Sequence, residues 1–407
     1  MISIKAKEIL DSNGRPTIEV ELIHGSAGFF TSVPSGVSTG KYEAVELRDK
    51  DGRGGVKKAI ENIEKIIAPA LAKEDLLNQK RIDEVLIKLD GTKNKSKLGG
   101  NAILAVSIAV CRLGAKTKKV PLYSYISQLF GKSVSMQDLP KPSFNFIEGG
   151  KHGEMGLAFQ EFMVIPQKET FQDNLKVGKT IYQELKKILE EKFGKKNVRL
   201  SAEGAFAPSI KRISEALDFI LAAAEKAGQK GHFKIALDPA ASEFFESNYY
   251  KAERTLFSKK ELLDFYENLV GKYPIISIED PFVENDFESF AALKKKLGKK
   301  TIIFGDDLTV SNIGRIELAK EKKACSGLVL KPNQIGTVTE TLEAAKLAKD
   351  FGWKIMVANR AGETIDYFIA DLAVGIGADF IKSGAPFPKE RMAKYNRLSA
   401  IEKELQK

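Results

Sequence analysis

Apolar and polar residues alternate with period two in three short runs at the start of the chain, ISIKAKEIL, TIEVELI and GFFTSVP, separated by the turn-forming clusters DSNGRP and HGSAG. Side chains alternate faces along a strand, so the pattern predicts a three-stranded antiparallel meander with one buried face. The period then changes. GGVKKAIENIEKIIAPALA, QKRIDEVLIKLDG and GGNAILAVSIAVCRLGAKTKK carry apolar residues three and four apart, the spacing that lines one side of a helix. Strands first and helices afterwards predict an α+β domain over residues 1–125. Pro121 and the LPKP stretch at 139–142 predict a looser exit segment.

From residue 138 to 407, short apolar runs rich in β-branched residues alternate with long amphipathic stretches. The runs are FMVIP at 162, KIALD at 234, ISIED at 276, IIFGDD at 302, GLVLK at 327, KIMVANR at 354 and FIKSG at 380. Most lie far enough apart for one helix and two loops, and a βα barrel needs about 30 residues per unit if roughly 250 build eight. The expected fold class is α/β, a C-terminal βα (TIM-like) barrel following the smaller N-terminal α+β domain. An open doubly wound sheet is the rival architecture, but no GxGxxG follows any of these runs.

Ionisable residues end the runs: Asp238, Glu279, Asp306, Lys331, Arg360 and Lys382. Any one of them is most simply a strand end meeting water. In a barrel, however, all six ends converge on one face. Three carboxylates on successive strands offer oxygen ligands to a hard cation such as Mg²⁺ and suit zinc poorly. A lysine beside such a cluster can serve as a general base, because a nearby cation makes the neutral amine easier to reach. The whole set suits removal of a proton next to a carboxylate, with the developing enediolate held by metal.

Composition narrows the alternatives. With 407 residues, 43% of them hydrophobic, the chain can bury a large core. Cys111 and Cys325 form no CxxC pair, which argues against a disulfide framework or a thiolate zinc site and makes a reducing cytoplasm the expected compartment. The start MISIKAKEIL has no apolar signal-peptide core, and AILAVSIAVC at 102–111 is too short to span a bilayer, so a soluble protein without a membrane partner is expected. Lys and Arg outnumber Asp and Glu by 64 to 54, but the lysines of ELKKILEEKFGKK and ALKKKLGKK sit in amphipathic helices, interleaved with Glu in the first, so a nucleic-acid surface is not indicated. GVSTGK is not a Walker A loop, since only three residues separate its glycines and Tyr42 follows the lysine. His24 falls in a turn and His232 just before a strand, where packing or surface roles are the simplest reading.

The segments VPSGVSTGKYEAVELRD, GGNAILAVSIAVCRLGA, FQEFMVIP, SIEDPF, GDDLTVSN, KPNQIGTVTETLEAAKLA, GETIDYFIADL and KSGAP, in that order, resemble enolase across essentially the whole chain. The resemblance implies a cytoplasmic, homodimeric hydro-lyase of glycolysis and gluconeogenesis that interconverts 2-phosphoglycerate, a small phosphorylated acid, and phosphoenolpyruvate with two Mg²⁺ per site. Carried over by motif, Asp238, Glu279 and Asp306 resemble the ligands of the tighter Mg²⁺, and Ser38 of SGVSTG the hydroxyl that reaches the second. Lys331 would then remove the C2 proton. Glu203 of SAEGAFAP, with Glu161 of QEF beside it, would help expel the C3 hydroxyl, Lys382 would hold the substrate carboxylate, and His152 and Gln160 would line the pocket.

The chain departs from the family in places. The usual SHRSGET reads ANRAGET, so Arg360 is kept as phosphate ligand while Asn359 replaces a histidine and Ala361 a serine. The usual GDEGGFAP reads SAEGAFAP, with Ala202 and Ala205. Asn13, Ala400 and Lys403 alter segments that carry ion pairs across the dimer interface in enolases. Two further readings are a divergent lyase of the same superfamily acting on another acid, and a weakened paralogue with a binding or scaffold role.

Overall fold

The computed structural model of the chain describes residues 2–25, 27–36, 40–50, 52, 54–150 and 156–407. The predicted meander is present as β1 (Ile2–Leu10), β2 (Pro16–His24) and β3 (Ala27–Ser32), antiparallel in sequence order. Ile18, Val20 and Leu22 are buried and alternate with the more open Glu19 and Glu21, the face expected from the period of two. The helix Gly100–Thr117 packs on that face, and it is buried almost all round, which accounts for the long apolar run at 102–111. The first predicted helix is broken into Lys57–Asn62, a π-helical turn Ile63–Ile67, and Ala68–Leu71. Pro69 has no N–H to close a regular turn there.

The looser exit segment is more ordered than its prolines suggested. It contains the helix Leu122–Phe130, with Pro121 as N-cap, and it leads into a strand, β4 (Lys141–Glu148). This strand escaped the sequence pattern because Lys141, Ser143, Asn145 and Glu148 interrupt its apolar positions. It completes a closed barrel with β5 (Glu161–Pro166), β6 (Phe233–Asp238), and, after a small antiparallel sheet of β7 (Phe245–Glu246), β8 (Tyr249–Ala252) and β9 (Thr255–Phe257), the strands β10 (Ile275–Glu279), β11 (Ile302–Gly305), β12 (Gly327–Leu330), β13 (Lys354–Ala358) and β14 (Phe380–Lys382). The expected α/β class with a C-terminal barrel is what the chain forms. One direction differs from the all-parallel reading. β5 runs antiparallel to both β4 and β6, while the other neighbours are parallel. Strand composition does not encode direction, so FMVIP looked like its neighbours.

The barrel interior holds Met163, Ile165, Ala236, Phe304, Val329, Met356, Ala358 and Phe380, while Phe162, Val164, Leu237, Ile303, Leu328, Val357 and Ile381 pack outward into the larger core. This alternation aims the functional side chains. Two residues beyond the inward Ala236, Phe304, Val329, Ala358 and Phe380 come Asp238, Asp306, Lys331, Arg360 and Lys382. On the reversed β5 the same parity runs back from Met163 to Glu161. In β10, Ile276 packs inward and Ile278 outward, and a register shift between Ile275 and Ser277 restores Glu279 to the interior set.

The N-terminal sheet and helices dock on the barrel through buried polar contacts. The Asp83 carboxylate accepts from Gln79, from Ser107 Oγ at 2.6 Å, and from Thr339 N at 2.8 Å and Oγ1 at 2.6 Å, capping the barrel helix Val338–Asp350 from outside. Lys95 pairs with Glu340 at 2.9 Å and Arg112 with Asp366 at 2.6 Å. Ser35 and Gly362 form a backbone bridge, and any side chain at Gly362 would collide with Asp11 and Ser35. No helix among the described residues is long and apolar enough to cross a membrane. Asp83→Ala should lower the unfolding free energy by about 3 kcal/mol, because it strands several buried donors at once; urea denaturation reads this, and a loss below about 1 kcal/mol would show that the network does not hold the two parts together.

Candidate active site

The carboxyl ends of the parallel strands and the amino end of β5 open on a cleft of about 610 Å³. Eight carboxyl groups line it, those of Glu43, Glu161, Glu203, Asp238, Glu243, Asp280, Asp306 and Asp307, against three basic side chains, Lys331, Arg360 and Lys382. The nearly buried Lys382 ammonium lies 2.8 and 2.9 Å from the two Glu279 oxygens, 3.1 Å from Asp238 Oδ2 and 3.1 Å from Glu161 Oε2. Burial opposes its charge, yet Glu161, Glu279 and Asp238 together hold its pKa well above the usual lysine value.

The acids feel the converse. Burial, and then Asp238, pushes the Glu279 carboxyl well above its normal range, with Lys382 pulling the other way. Glu161 is pushed up to about 8 by burial, against Lys382, with Glu203, Asp238 and Glu148 adding to the rise. Asp307 rises to about 7 through burial and the neighbouring Asp306. Asp306 itself is lowered, since Lys331 and Lys382 outweigh its burial. Lys331 contacts Asp306 Oδ2 directly, and that attraction overcomes burial to raise the lysine pKa. Gln334 Nε2 donates to the other Asp306 oxygen at 2.8 Å, while Ser311 Oγ donates to Gln334 and accepts from Lys331 N, fixing Lys331 and Asp306 in one frame.

Glu203 sits on a tight loop that Phe206 pins to β4, through bridges to Leu200 and Ile147 and a bond from Phe206 N to Phe146 O at 2.9 Å. Asn359 Nδ2 donates 2.8 Å to Glu203 Oε1 and 2.8 Å to the Arg360 carbonyl. Arg360 is buried, and its Nη1 bonds Glu43 at 2.7 Å and Asn333 at 3.1 Å; burial works against its charge and Glu43 more than restores it. Ala361 borders the cleft with a methyl group, and Gln160 also lines it.

Of the residues expected from sequence, the cleft lining includes Gln160, Glu161, Glu203, Asp238, Asp306, Lys331, Asn359, Arg360, Ala361 and Lys382, and Glu279 is reached from it through Lys382. Ser38 and His152 lie outside the described residues. His24 and His232 are exposed, away from the cleft. Sequence reading passed over Glu43, Glu148, Asp280, Asp307 and Gln334. Asp280 and Asp307 each follow a chosen residue in SIEDPF and GDDLTV, so the motif contained them; Glu148 ends the strand that the pattern missed.

Cation binding is chemically consistent with this donor set. Among the described residues the cleft presents only oxygen and nitrogen groups, with no thiolate, and both cysteines are buried elsewhere. Oxygens of Glu148, Glu161 and Glu203 lie within 4.8 Å of one another, as do those of Asp280, Asp306 and Asp307. A buried excess of carboxylates favours a hard divalent cation as counter-charge.

Comparison with known proteins agrees with this geometry. The family described as "Enolase, N-terminal domain" matches residues 1–126, and "Enolase, C-terminal TIM barrel domain" matches residues 136–407. An enolase of Eimeria tenella is 47% identical over 427 aligned positions, spanning 100% of this chain and 96% of that protein. Both parts of the fold, and the barrel mouth they enclose, are therefore those of a lyase, and the chain belongs to the enolase family.

Proposed function

We propose that the protein interconverts 2-phosphoglycerate and phosphoenolpyruvate with Mg²⁺. The observation that carries this reading is one cleft in which a buried lysine, a loop glutamate and a buried arginine face a strongly acidic wall. Asp238, Glu279 and Asp306 would hold the tighter Mg²⁺ and Ser38 would contribute to a second. When bound, Mg²⁺ supplies the positive charge that offsets these carboxylates and the substrate acid, and so loosens the hold of Asp306 on the Lys331 proton.

Arg360 binds the phosphate, its guanidinium already desolvated and oriented by Glu43 and Asn333. Lys331 Nζ takes the C2 proton, and the electron pair moves into the substrate carboxylate beside Lys382. Glu203 then delivers a proton to the C3 hydroxyl, which leaves as water while the C2–C3 double bond forms. His152 and Gln160 would close the pocket around the reacting carbons.

We further propose a cytoplasmic homodimer with altered interface ion pairs, since Ala400 and Lys403 are exposed and Asn13 half-buried in the chain. Ala361 favours one alternative, a divergent lyase for another acid, because a hydroxyl that could share the phosphate is missing from this loop.

Purified protein with Mg²⁺ and 2-phosphoglycerate should form phosphoenolpyruvate, followed by its ultraviolet absorbance, and Lys331→Ala should lower kcat by about 10²- to 10⁴-fold. No product at saturating substrate would defeat this reading and leave the divergent lyase. Asn359→His combined with Ala361→Ser should lower KM for 2-phosphoglycerate by about tenfold or more, the worth of one hydrogen bond to a charged group. Unchanged kinetics would mean that the amide and the methyl serve this phosphate site as well as the family residues do.

A further inference from the structure

Arg391 is the largest fully buried side chain among the described residues, and it meets the cleft lining through the Arg360 and Ala361 backbone and the Glu203 carboxylate. It rises from the first turn of the C-terminal helix Lys389–Leu405. Its Nη1 donates to the Arg360 carbonyl at 2.7 Å, and its Nη2 donates to the Ala361 carbonyl at 2.7 Å and the Ala202 carbonyl at 3.2 Å. Nη1 also lies 3.9 Å from Glu203 Oε1. One planar guanidinium thus joins the loop that carries the phosphate arginine to the loop that carries the acid. A hydrocarbon side chain would leave three carbonyls, two of them buried, without these donors, and a lysine could not span them with one nitrogen.

The same helix secures the far end of the arginine loop. Lys394, one turn on, bonds Glu363 Oε2 at 2.6 Å and the Thr364 carbonyl, while Glu363 accepts from Arg360 N at 3.2 Å. On the opposite side, Ser12 and Ser35 bond the backbone of Glu363 and Gly362. The arginine loop is therefore held from both sides; Asn359 Nδ2 links it to the Glu203 carboxylate at 2.8 Å, and Arg391 adds a second link that also takes in the Ala202 carbonyl. Ala202 and Ala205 contribute no side-chain hydrogen bonds to their own loop.

We infer that Arg391 is a positioning residue for the dehydration, setting the distance between the Glu203 proton donor and the Arg360 phosphate site. The inference rests on the proposed function for its kinetic part. Its structural part stands independently of the substrate.

Arg391→Met should lower kcat by about 10- to 100-fold, the scale expected when a reacting group is misplaced by about 1 Å. In a Glu203→Gln background the same change should cost less than about threefold, because the group it positions is already disabled. Losses that multiply fully in the double variant would overturn the inference and leave Arg391 with a purely structural role. Hydrogen exchange should accelerate together in the segments 201–205 and 359–362 of Arg391→Met, with the remaining barrel amides unchanged; acceleration in one segment alone would also overturn it. If Arg391→Met does not fold, Arg391→Lys, which keeps the charge and loses the fork, takes its place with the same expectations. Absence of turnover by the unaltered protein would defeat the proposed function, while the exchange experiment would still decide whether the two loops are joined.

Discussion

A buried ammonium surrounded by carboxylates is the constraint on which the barrel mouth depends. Lys382 is shared among Glu161, Asp238 and Glu279, and without it those acids would face one another in a medium that screens poorly. Even so, the positive charge falls short, because the cleft is lined by many more carboxyl groups than basic side chains. Burial first, and then the neighbouring carboxylates, displace Glu161, Glu279, Asp280 and Asp307 upward. A fold that maintains such an excess is suited to binding cations and, through them, an anionic substrate.

The architecture makes this arrangement possible by simple geometry. Inward parity along β6, β11, β12, β13 and β14 brings residues two positions past the apolar layer into one ring. The reversal of β5 adds Glu161 to that ring from a strand's amino end, and the irregularity in β10 adds Glu279. The segment that follows the N-terminal sheet supplies Glu43 to Arg360 and the Ser35 bridge to Gly362. Loops that would otherwise be free on the surface are thereby fixed on several sides, which is how groups far apart in sequence reach useful positions for chemistry.

Much of this was legible in the sequence, for stated physical reasons. Period-two alternation identified the meander, and charged residues at the ends of β6, β10, β11, β12 and β14 and just past β13 marked the mouth of the barrel. Direction and irregularity were not legible. Nothing in FMVIP distinguishes an antiparallel strand from a parallel one, and polar positions hid β4, so Glu148 went unnoticed. Arg391 and Glu43 were also invisible, because a side chain acting on loops distant in the chain leaves no local periodicity. Motif resemblance supplied Glu203, whose loop has no strand pattern of its own.

The central claim is that the buried negative charge at this mouth binds cations. Calorimetric titration of metal-free protein with Mg²⁺ tests it most directly, with Glu279→Gln as the comparison. The account predicts saturable binding by the unaltered protein and an affinity at least about tenfold weaker in Glu279→Gln, since loss of a carboxylate donor should cost no less than loss of a supporting contact. Absence of binding, or equal affinity in the two proteins, would contradict it.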